Sequence, residues 1–309
     1  MRIVYMGTPD IASAILKDLI NSKHEIIGVV TKPDKPKGRG GKVLLTPVKE
    51  VALEHNITVY QPNKLKEEEF QESLKELNPD IIIVAAFGQI LPKSVLELPK
   101  HGCINVHASL LPKYRGAAPI QWSIIDGEEK TGITIMHMDA GIDTGDMIMK
   151  DEVVLDKKET AGTLHDKLAA CGGKLLLKAL EAIEDGNAPR EKQDDSKANY
   201  VKVLTKEFGH IDFSKSAIEI ERLVRGLNPW PSAYCFLDGK TLKIWDADVT
   251  HEELSGEFGE IVGLTKDSIL IKTGKELLAI KELQLEGKKR MSSDAFLRGY
   301  HMELGTKLS

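Results

Sequence analysis

Residues 80–86 read DIIIVAA, an apolar run that no polar residue interrupts once the opening aspartate has passed. A strand with one face in water alternates polar with apolar residues, whereas a strand buried on both faces of a parallel sheet does not. Further strands are predicted at 2–7 (RIVYMG) and 25–32 (EIIGVVTK). These runs predict a parallel sheet that is covered on both sides by helices.

The first half of the chain alternates such strands with helical signals. More strands are predicted at 57–60, 102–109 and 132–139. Thr46 followed by Pro47 marks a helix start, because threonine caps helices and proline suits their first turn. The alternation predicts an α/β domain with a doubly wound, mostly parallel, Rossmann-like sheet over residues 1–186.

The second half has a different character. Residues 187–206 lose the apolar runs, and we predict a surface linker there. A helix at 216–228 follows, and then short strands separated by turn signals such as DGK and TGK. This pattern is typical of small barrels. We therefore predict a small β-barrel of the OB type over residues 207–309.

The composition is that of a soluble protein, with 41% hydrophobic and 29% charged residues. No apolar stretch approaches the roughly 20 residues that a membrane helix needs, and the N-terminus lacks the regions of a signal peptide. We predict a cytoplasmic monomer with no membrane contact. The net charge of −5 is unusual for a nucleic-acid-binding protein, so any such contact would need local basic patches. The 3 cysteines and 9 histidines show no metal-ligand spacing, and no metal is expected.

Polar side chains gather at the predicted end of the strand at 102–109. Asn105, His107 and Ser109 have the same parity, and alternate residues of a strand share a face. In α/β sheets, ligands bind beyond the carboxyl ends of the strands. Asn105 and His107 could therefore enter one crevice, although a hydrogen-bonded pair at a sheet end would also explain them.

The segment that ends the strand at 132–139 is rich in aspartate and glycine. Residues 139–146 read DAGIDTGD, which predicts a tight acidic loop, for which a solvated turn is the simpler interpretation. Because consecutive strands are commonly neighbours, this loop could bring Asp143 against His107. A carboxylate beside a histidine orients the ring for general acid–base work.

Phosphate-binding patterns are weak in this chain. Residues 7–10 (GTPD) follow the first predicted strand but do not form the GxGxxG pattern of dinucleotide-binding proteins, so an NAD-dependent reaction is disfavoured. Residues 31–47 (TKPDKPKGRGGKVLLTP) predict a loop that contacts an anion or is simply solvated. Its cations are Lys32, Lys35, Lys37, Arg39 and Lys42.

Several of these segments together resemble the folate-dependent formyltransferases. The resemblance lies in INVHASLLP (104–112), YRG (114–116) and the loop at 139–146. A second group of segments is similar to the members of that superfamily that act on methionyl-tRNA. These segments are GRGGK (38–42), GAAPIQ (116–121), NPWPSA (228–233) and FLRG (296–299).

The resemblance implies formyl transfer from 10-formyltetrahydrofolate, as co-substrate, to the amino group of initiator methionyl-tRNA. It implies catalytic roles for Asn105, His107 and Asp143, and tRNA contacts at Lys37, Arg39 and Lys42. The folate contacts that it implies are Ser109, Leu110, Leu111, Pro112, Asp139, Gly141 and Ile142.

Other functions remain open at this point. The same three catalytic residues would serve a formyltransferase that acts on another amine, such as an amino sugar nucleotide or a glycinamide. They would also serve a hydrolase that releases formate from the folate. A tRNA-binding module without catalytic activity is a further alternative.

Overall fold

The structure is a computed structural model that describes residues 1–37 and 42–309. The contacts within the chain divide it into two compact units. The first unit contains Met1–Pro119, Lys130–Val154 and His165–Lys202. The second contains Ile120–Glu129, Leu155–Leu164 and Val203–Ser309.

Strands and helices alternate up to about the middle of the chain, and strands dominate after that. The elements are β1 (Arg2–Gly7), α1 (Asp10–Ile20), β2 (Glu25–Val30), β3 (Lys35–Lys37), β4 (Lys42–Leu44), α2 (Pro47–Glu54), β5 (Val59–Tyr60), α3 (Glu68–Leu77), β6 (Ile81–Ala85), α4 (Lys93–Leu96), β7 (Cys103–His107), β8 (Arg115–Gly116), α5 (Pro119–Ile125), β9 (Lys130–His137), β10 (Met147–Val154), α6 (Ala161–Glu184), β11 (Tyr200–Val201), α7 (Ala217–Gly226), β12 (Ala233–Leu237), β13 (Lys240–Thr250), β14 (Ile261–Leu264), β15 (Ile269–Lys272), β16 (Leu277–Leu285), β17 (Met291–Ser292) and α8 (Ser293–Gly299).

The first unit is built on a 7-stranded sheet in the order β10-β9-β7-β6-β1-β2-β5. The pairs from β7 to β5 are parallel. On one face, Val4 and Ile82 pack with Phe70 of α3 and Val95 of α4. On the other, the buried Tyr5 hydroxyl donates to the Ala12 carbonyl of α1 at 2.6 Å. The predicted fold class of a doubly wound, mostly parallel sheet is therefore confirmed.

The edge strands β9 and β10 depart from the parallel pattern. β9 pairs with β7 antiparallel, and β10 pairs with β9 antiparallel. The loop that follows β9 therefore starts beside the beginning of β7, where the Met138 amide donates to the Cys103 carbonyl at 2.8 Å. The predicted adjacency of the two strands is present, but their carboxyl ends do not meet at one edge of the sheet.

The second unit contains a 6-stranded antiparallel sheet with the path β12-β13-β16-β15-β14, and β17 pairs with β16. The C-terminal tail bonds to both ends of this path. The Phe236 amide of β12 donates to the Ser309 carbonyl at 2.7 Å, and the Ile261 amide of β14 donates to the Thr306 carbonyl at 2.9 Å. The tail thus joins the two edges, and the small β domain predicted after the α/β domain is present.

The segment predicted as a linker, 187–206, carries ordered contacts within the first unit. Met147 and Glu191 form a two-way backbone bridge, and β11 pairs in parallel with β8. A short 3₁₀ helix lies at Asp195–Lys197. Division of the chain into catalytic domain, linker and barrel domain at 186 and 207 stays a prediction. The contacts assign this segment to the first unit as far as Lys202, and the rest of it to the second.

Candidate functional site

The candidate site lies at the carboxyl end of β7. Asn105 is level with Val84 of β6, and His107 lies two residues farther along the strand. Both side chains are largely buried, with 9% and 5% of their surface exposed. The neighbouring apolar residues Ile104 and Val106 are buried as well, so the alternation of the strand separates a polar face from an apolar one.

The His107 ring is held by the backbone of Tyr114. Its Nε2 lies 2.9 Å from the Tyr114 carbonyl oxygen. A carbonyl only accepts, so Nε2 carries the hydrogen and Nδ1 is the nitrogen that can take up a proton. Nδ1 lies 3.6 Å from Oδ2 of Asp143, which is too long for a hydrogen bond. The ring orientation is therefore set by Tyr114, and Asp143 acts on the ring as a nearby charge.

The Asp143 carboxylate lies between Asn105 and His107. Its Oδ2 accepts a hydrogen bond of 2.8 Å from the Gly116 amide, and its Oδ1 lies 3.4 Å from Nδ2 of Asn105. Asp143 adopts a φ of 54°, in the left-handed region that aspartate tolerates better than most residues. An amide, an imidazole and a carboxylate thus converge, although β9 is antiparallel to β7.

The loop at 139–146 folds back on itself through its own polar groups. Asp139 Oδ1 accepts from the Gly141 amide at 2.9 Å and from the Thr144 hydroxyl at 2.6 Å. At the base of the loop, Arg190 donates to Asp146 at 3.1 Å. Burial lowers the pKa of the adjacent His137, Arg190 adds to this shift and Asp146 opposes it, so the neutral imidazole is favoured.

Residues of the segment 193–201 form hydrogen bonds to the residues that carry and flank the site. The sequence analysis did not predict these contacts. The Gln193 amide nitrogen donates to the carbonyls of Asp143 and Gly145, both at 2.8 Å. Its oxygen accepts from Nε of Arg115 at 2.9 Å. The Tyr114 amide donates to the Asn199 side chain. No residue type in QDDSKANYV marks these contacts, because they are made largely to backbone groups.

The predicted folate contacts fall into two sets. Ser109 and Leu111 are buried and have internal partners: the Ser109 hydroxyl donates to the Lys113 carbonyl at 2.6 Å, and the Leu111 amide donates to Thr134 at 3.1 Å. Leu110 and Pro112 are half-buried. Asp139, Gly141 and Ile142 lie on the loop, and Ile142 keeps 57% of its surface exposed. Their contact with folate stays a prediction.

Two of the three predicted tRNA contacts lie on the paired strands β3 and β4. Lys37 and Lys42 pair with each other through their backbones at the end of β3 and the start of β4. Arg39 lies outside the described residues. The role of these cations stays a prediction.

Within residues 1–37 and 42–309, no group of three or more histidine, cysteine, aspartate or glutamate side chains is arranged to hold a metal ion. No helix in the described part of the chain is long and apolar enough to cross a bilayer. Cys103, Cys171 and Cys235 carry free thiols.

The converging groups suit acyl transfer. The Asn105 amide can donate to an oxygen that becomes negative, and the free ring nitrogen of His107 can exchange a proton. Asp143 places a carboxylate oxygen 3.6 Å from Nδ1 of that ring.

Comparison with known proteins agrees with this chemistry. A family model described as formyl transferase matches residues 1–180, and one described as formyl transferase, C-terminal domain, matches residues 203–301. Methionyl-tRNA formyltransferase of Clostridioides difficile (strain 630) is 54% identical over 308 residues, which cover 100% of each chain. The protein of the same name from Lachnospira eligens is 53% identical over 313 residues, with 100% of this chain and 99% of that one covered.

A solved structure extends the comparison. WlaRD, a sugar 3N-formyl transferase crystallised in the presence of dTDP and 5-N-formyl-THF, matches with a TM-score of 0.68. The match covers 94% of this chain and 99% of that one at 21% identity. At this level of identity the likeness shows the fold alone.

Proposed function

Because this chain belongs to the formyl transferase family, we propose that it transfers the formyl group of 10-formyltetrahydrofolate to the amino group of initiator methionyl-tRNA, for translation initiation. The observation that carries the chemistry is the convergence of Asn105, His107 and Asp143 at the end of β7. Support for the acceptor comes from relatives of nearly the same length, which share more than half of their residues with this chain over its full length.

Another amine as acceptor is less well supported. The sugar formyl transferase WlaRD shares the fold, but its identity with this chain is 21%, against 54% for the methionyl-tRNA formyltransferase of C. difficile. An acceptor preference depends on the residues around the amine, and these diverge faster than the fold.

In the proposed reaction the amine nitrogen attacks the formyl carbon, and the bond from that carbon to the folate nitrogen breaks. The α-amino group has an ordinary pKa of about 8, so a useful fraction attacks as the free base. Negative charge develops on the formyl oxygen, towards which Asn105 Nδ2 can donate. A donor of this kind contributes roughly 3 kcal/mol of transition-state stabilisation. The proton that the amine loses passes to the leaving nitrogen by way of Nδ1 of His107.

The loop at 139–146 and the segment 109–112 are proposed to hold the folate. The exposed Ile142 side chain, next to Asp143 in the chain, offers an apolar contact for a flat ring. The polar groups of Asp139 and Ser109 are already paired within the protein. We expect these two residues to shape the folate site rather than to exchange their partners for the ligand.

The experiment that tests the function is direct. Purified protein is incubated with 10-formyltetrahydrofolate and methionyl-initiator tRNA, and formylmethionyl-tRNA is separated from methionyl-tRNA and counted. Parallel reactions contain free methionine, an amino sugar nucleotide or no acceptor. Of these acceptors, we expect only methionyl-initiator tRNA to be formylated. Formate release without an acceptor would replace this proposal by a hydrolase, and product with the amino sugar alone would replace it by a sugar formyltransferase.

We also propose that Lys37, Arg39 and Lys42 contact the tRNA. Each cation that neutralises a phosphate makes binding steeper in salt. Arg39→Ala should therefore raise the KM for tRNA and flatten its dependence on salt, while the KM for the folate stays unchanged. Lys66→Ala, which removes an exposed cation from another segment, is the matched control. An Arg39→Ala salt slope equal to that of the control would remove Arg39 from the interface.

The remaining expectations concern the working state of the protein. We propose that it acts as a monomer in the cytoplasm and without a metal ion. Sedimentation of the active protein tests the monomeric state, and metal analysis of the same sample tests the absence of a metal ion. A dimer at assay concentration or stoichiometric metal would contradict them.

A further inference from the structure

The Gln193 side chain has a hydrogen-bonding pattern that fixes its orientation. Its amide nitrogen has two hydrogens, and these are directed to two carbonyl oxygens, those of Asp143 and Gly145, each at 2.8 Å. Its oxygen accepts from Arg115 Nε at 2.9 Å. A flipped amide would set an oxygen against two carbonyls and an NH₂ group against a cation, so only one orientation satisfies all three contacts.

Arg115 anchors this amide. Its side chain is only 2% exposed, and it also donates to the Tyr200 hydroxyl at 3.0 Å and to Asp195 Oδ1 at 2.7 Å. Burial alone would lower the pKa of the Arg115 guanidinium, and its hydrogen bonds to Asp195 and Tyr200 outweigh this effect and raise it. The anchor is thus a buried cation with charge-assisted hydrogen bonds, which are shorter and stronger than neutral ones.

The short strand β8, which contains Arg115, also binds the carboxylate of Asp143. Gly116, next to Arg115 in β8, donates its amide hydrogen to the Asp143 carboxylate at 2.8 Å. The backbone of Asp143 is bound by Gln193, which Arg115 anchors in turn. Both the carboxylate and the main chain of Asp143 are therefore positioned from β8. The direct contact between Asp143 and His107, at 3.6 Å, is too long to do this.

We propose that Gln193 is a positioning residue for formyl transfer, which places the Asp143 carboxylate by binding the backbone of the loop that carries it. This inference rests on the proposed function. It adds a residue from the segment predicted as a linker to the machinery at the end of β7. Gln193 itself touches the loop and Arg115, so its effect on the reaction passes through Asp143.

Gln193→Glu tests this with almost no change in side-chain volume. The new carboxylate still accepts from Arg115, but an oxygen replaces the donor that faces the two carbonyls. The lone pairs of this oxygen then face those of the Asp143 and Gly145 carbonyl oxygens, and their repulsion displaces the loop at 139–146. Gln71→Glu is the matched control in the same unit, because the Gln71 side-chain amide also donates to the backbone, but to one carbonyl only, that of Leu65, at 3.2 Å.

Single-turnover rates with enzyme in excess are measured for wild type, Gln193→Glu, Asp143→Ala, the double variant and Gln71→Glu. We expect Gln193→Glu to lower the rate about 10- to 100-fold, since misplacement by about 1 Å has an effect of that order. In the Asp143→Ala background, Gln193→Glu should alter the rate less than about threefold, because the carboxylate that Gln193 places is absent. The proposal would be overturned if Gln193→Glu lowered the single-turnover rate by the same factor with and without Asp143→Ala, or if the Gln193→Glu rate were within twofold of wild type.

Hydrogen exchange on the protein alone separates this proposal from the proposed function. Gln193→Glu should speed amide exchange in the peptide that covers 139–146 and leave β1 and β6 unchanged. If wild type transfers no formyl group but the loop responds, the function is wrong and the anchoring stands. If wild type is active and neither exchange nor the rate cycle responds, the positioning role is wrong. Gln193→Met, which is uncharged and lacks both donors, replaces Gln193→Glu if that variant does not fold.

Discussion

β7 and the segment 193–201 build the same site in different ways. β7 contributes the side chains of Asn105 and His107, which point from a buried strand into the site. The segment 193–201 contributes an amide side chain and backbone pairing, and much of it is exposed to solvent. The reacting groups therefore lie on a buried strand inside the sheet, and their placement depends on a largely exposed segment with the composition of a polar linker.

The largest effect is expected on the β7 side of this comparison. Asn105→Ala should lower kcat about 10²- to 10³-fold, as loss of one donor to a developing oxyanion does. His107→Ala should lower it about 10²- to 10⁴-fold through loss of general acid–base catalysis. Steady-state formylation of methionyl-tRNA measures both, and unfolding in urea checks the fold.

His55→Ala, which changes an exposed histidine after α2, is the control for these variants. Rates of Asn105→Ala and His107→Ala within threefold of that control would mean that β7 supplies no reacting group.

The next largest effect concerns the pairing of β8 with β11. Gly116 has a φ of 107°, and a Cβ there would lie 2.4 Å from the Val201 carbonyl oxygen. Gly116→Ala must therefore open the strand pair and withdraw the amide that binds Asp143. We expect a loss of about 2–4 kcal/mol in the free energy of unfolding, together with a lower kcat.

Gly186→Ala isolates the cost of backbone strain. Gly186 also has a positive φ, of 69°, but nothing lies within 4 Å of the position of its Cβ. It should lose about 1–2 kcal/mol and keep its kcat. Equal losses in the two variants would show that β8 and β11 do not hold the site together.

A smaller effect concerns the amino end of β7. Burial raises the pKa of the Cys103 thiol from 9.0 to about 12. The folded protein keeps this proton between pH 9 and pH 12, whereas the unfolded chain releases it, so rising pH favours unfolding. The expected loss is about 1.4 kcal/mol per pH unit in that window.

Urea unfolding at several values between pH 8 and pH 11 measures this slope in wild type and in Cys103→Ala. The variant should show a shallower decline, whatever its stability at pH 8. Parallel curves would mean that the thiol is not buried as the structure has it.

The fold was predictable because buried strands appear in the sequence as apolar runs. Runs such as 80–86 mark strands buried on both faces, and Thr46 caps α2 by accepting from the Lys49 amide, as the Thr-Pro signal predicts. The direction of β9 was not predictable, because an apolar strand has the same pattern in a parallel and an antiparallel pair. β9 is nevertheless the neighbour of β7, as predicted, and the loop after it brings Asp143 to 3.6 Å from the His107 ring although the two strands run in opposite directions.

The site was predictable only in its side chains. The parity of Asn105 and His107 and the aspartates at 139–146 are features of single residues and can be seen in the sequence. The contacts of Tyr114 and Gly116 use backbone atoms that every residue has. Gln193 stands in a polar stretch where one more amide carries no signal, so its role follows only from three-dimensional distances.

The convergence of amide, imidazole and carboxylate is tested most directly by Asp143→Asn. This variant keeps the shape of the side chain and an oxygen that can accept from the Gly116 amide, and it removes the charge beside His107. The measurement is the single-turnover rate of formyl transfer to methionyl-initiator tRNA at saturating folate. We predict a rate at least about 100-fold below wild type with an unchanged free energy of unfolding. A rate within twofold of wild type would contradict the account.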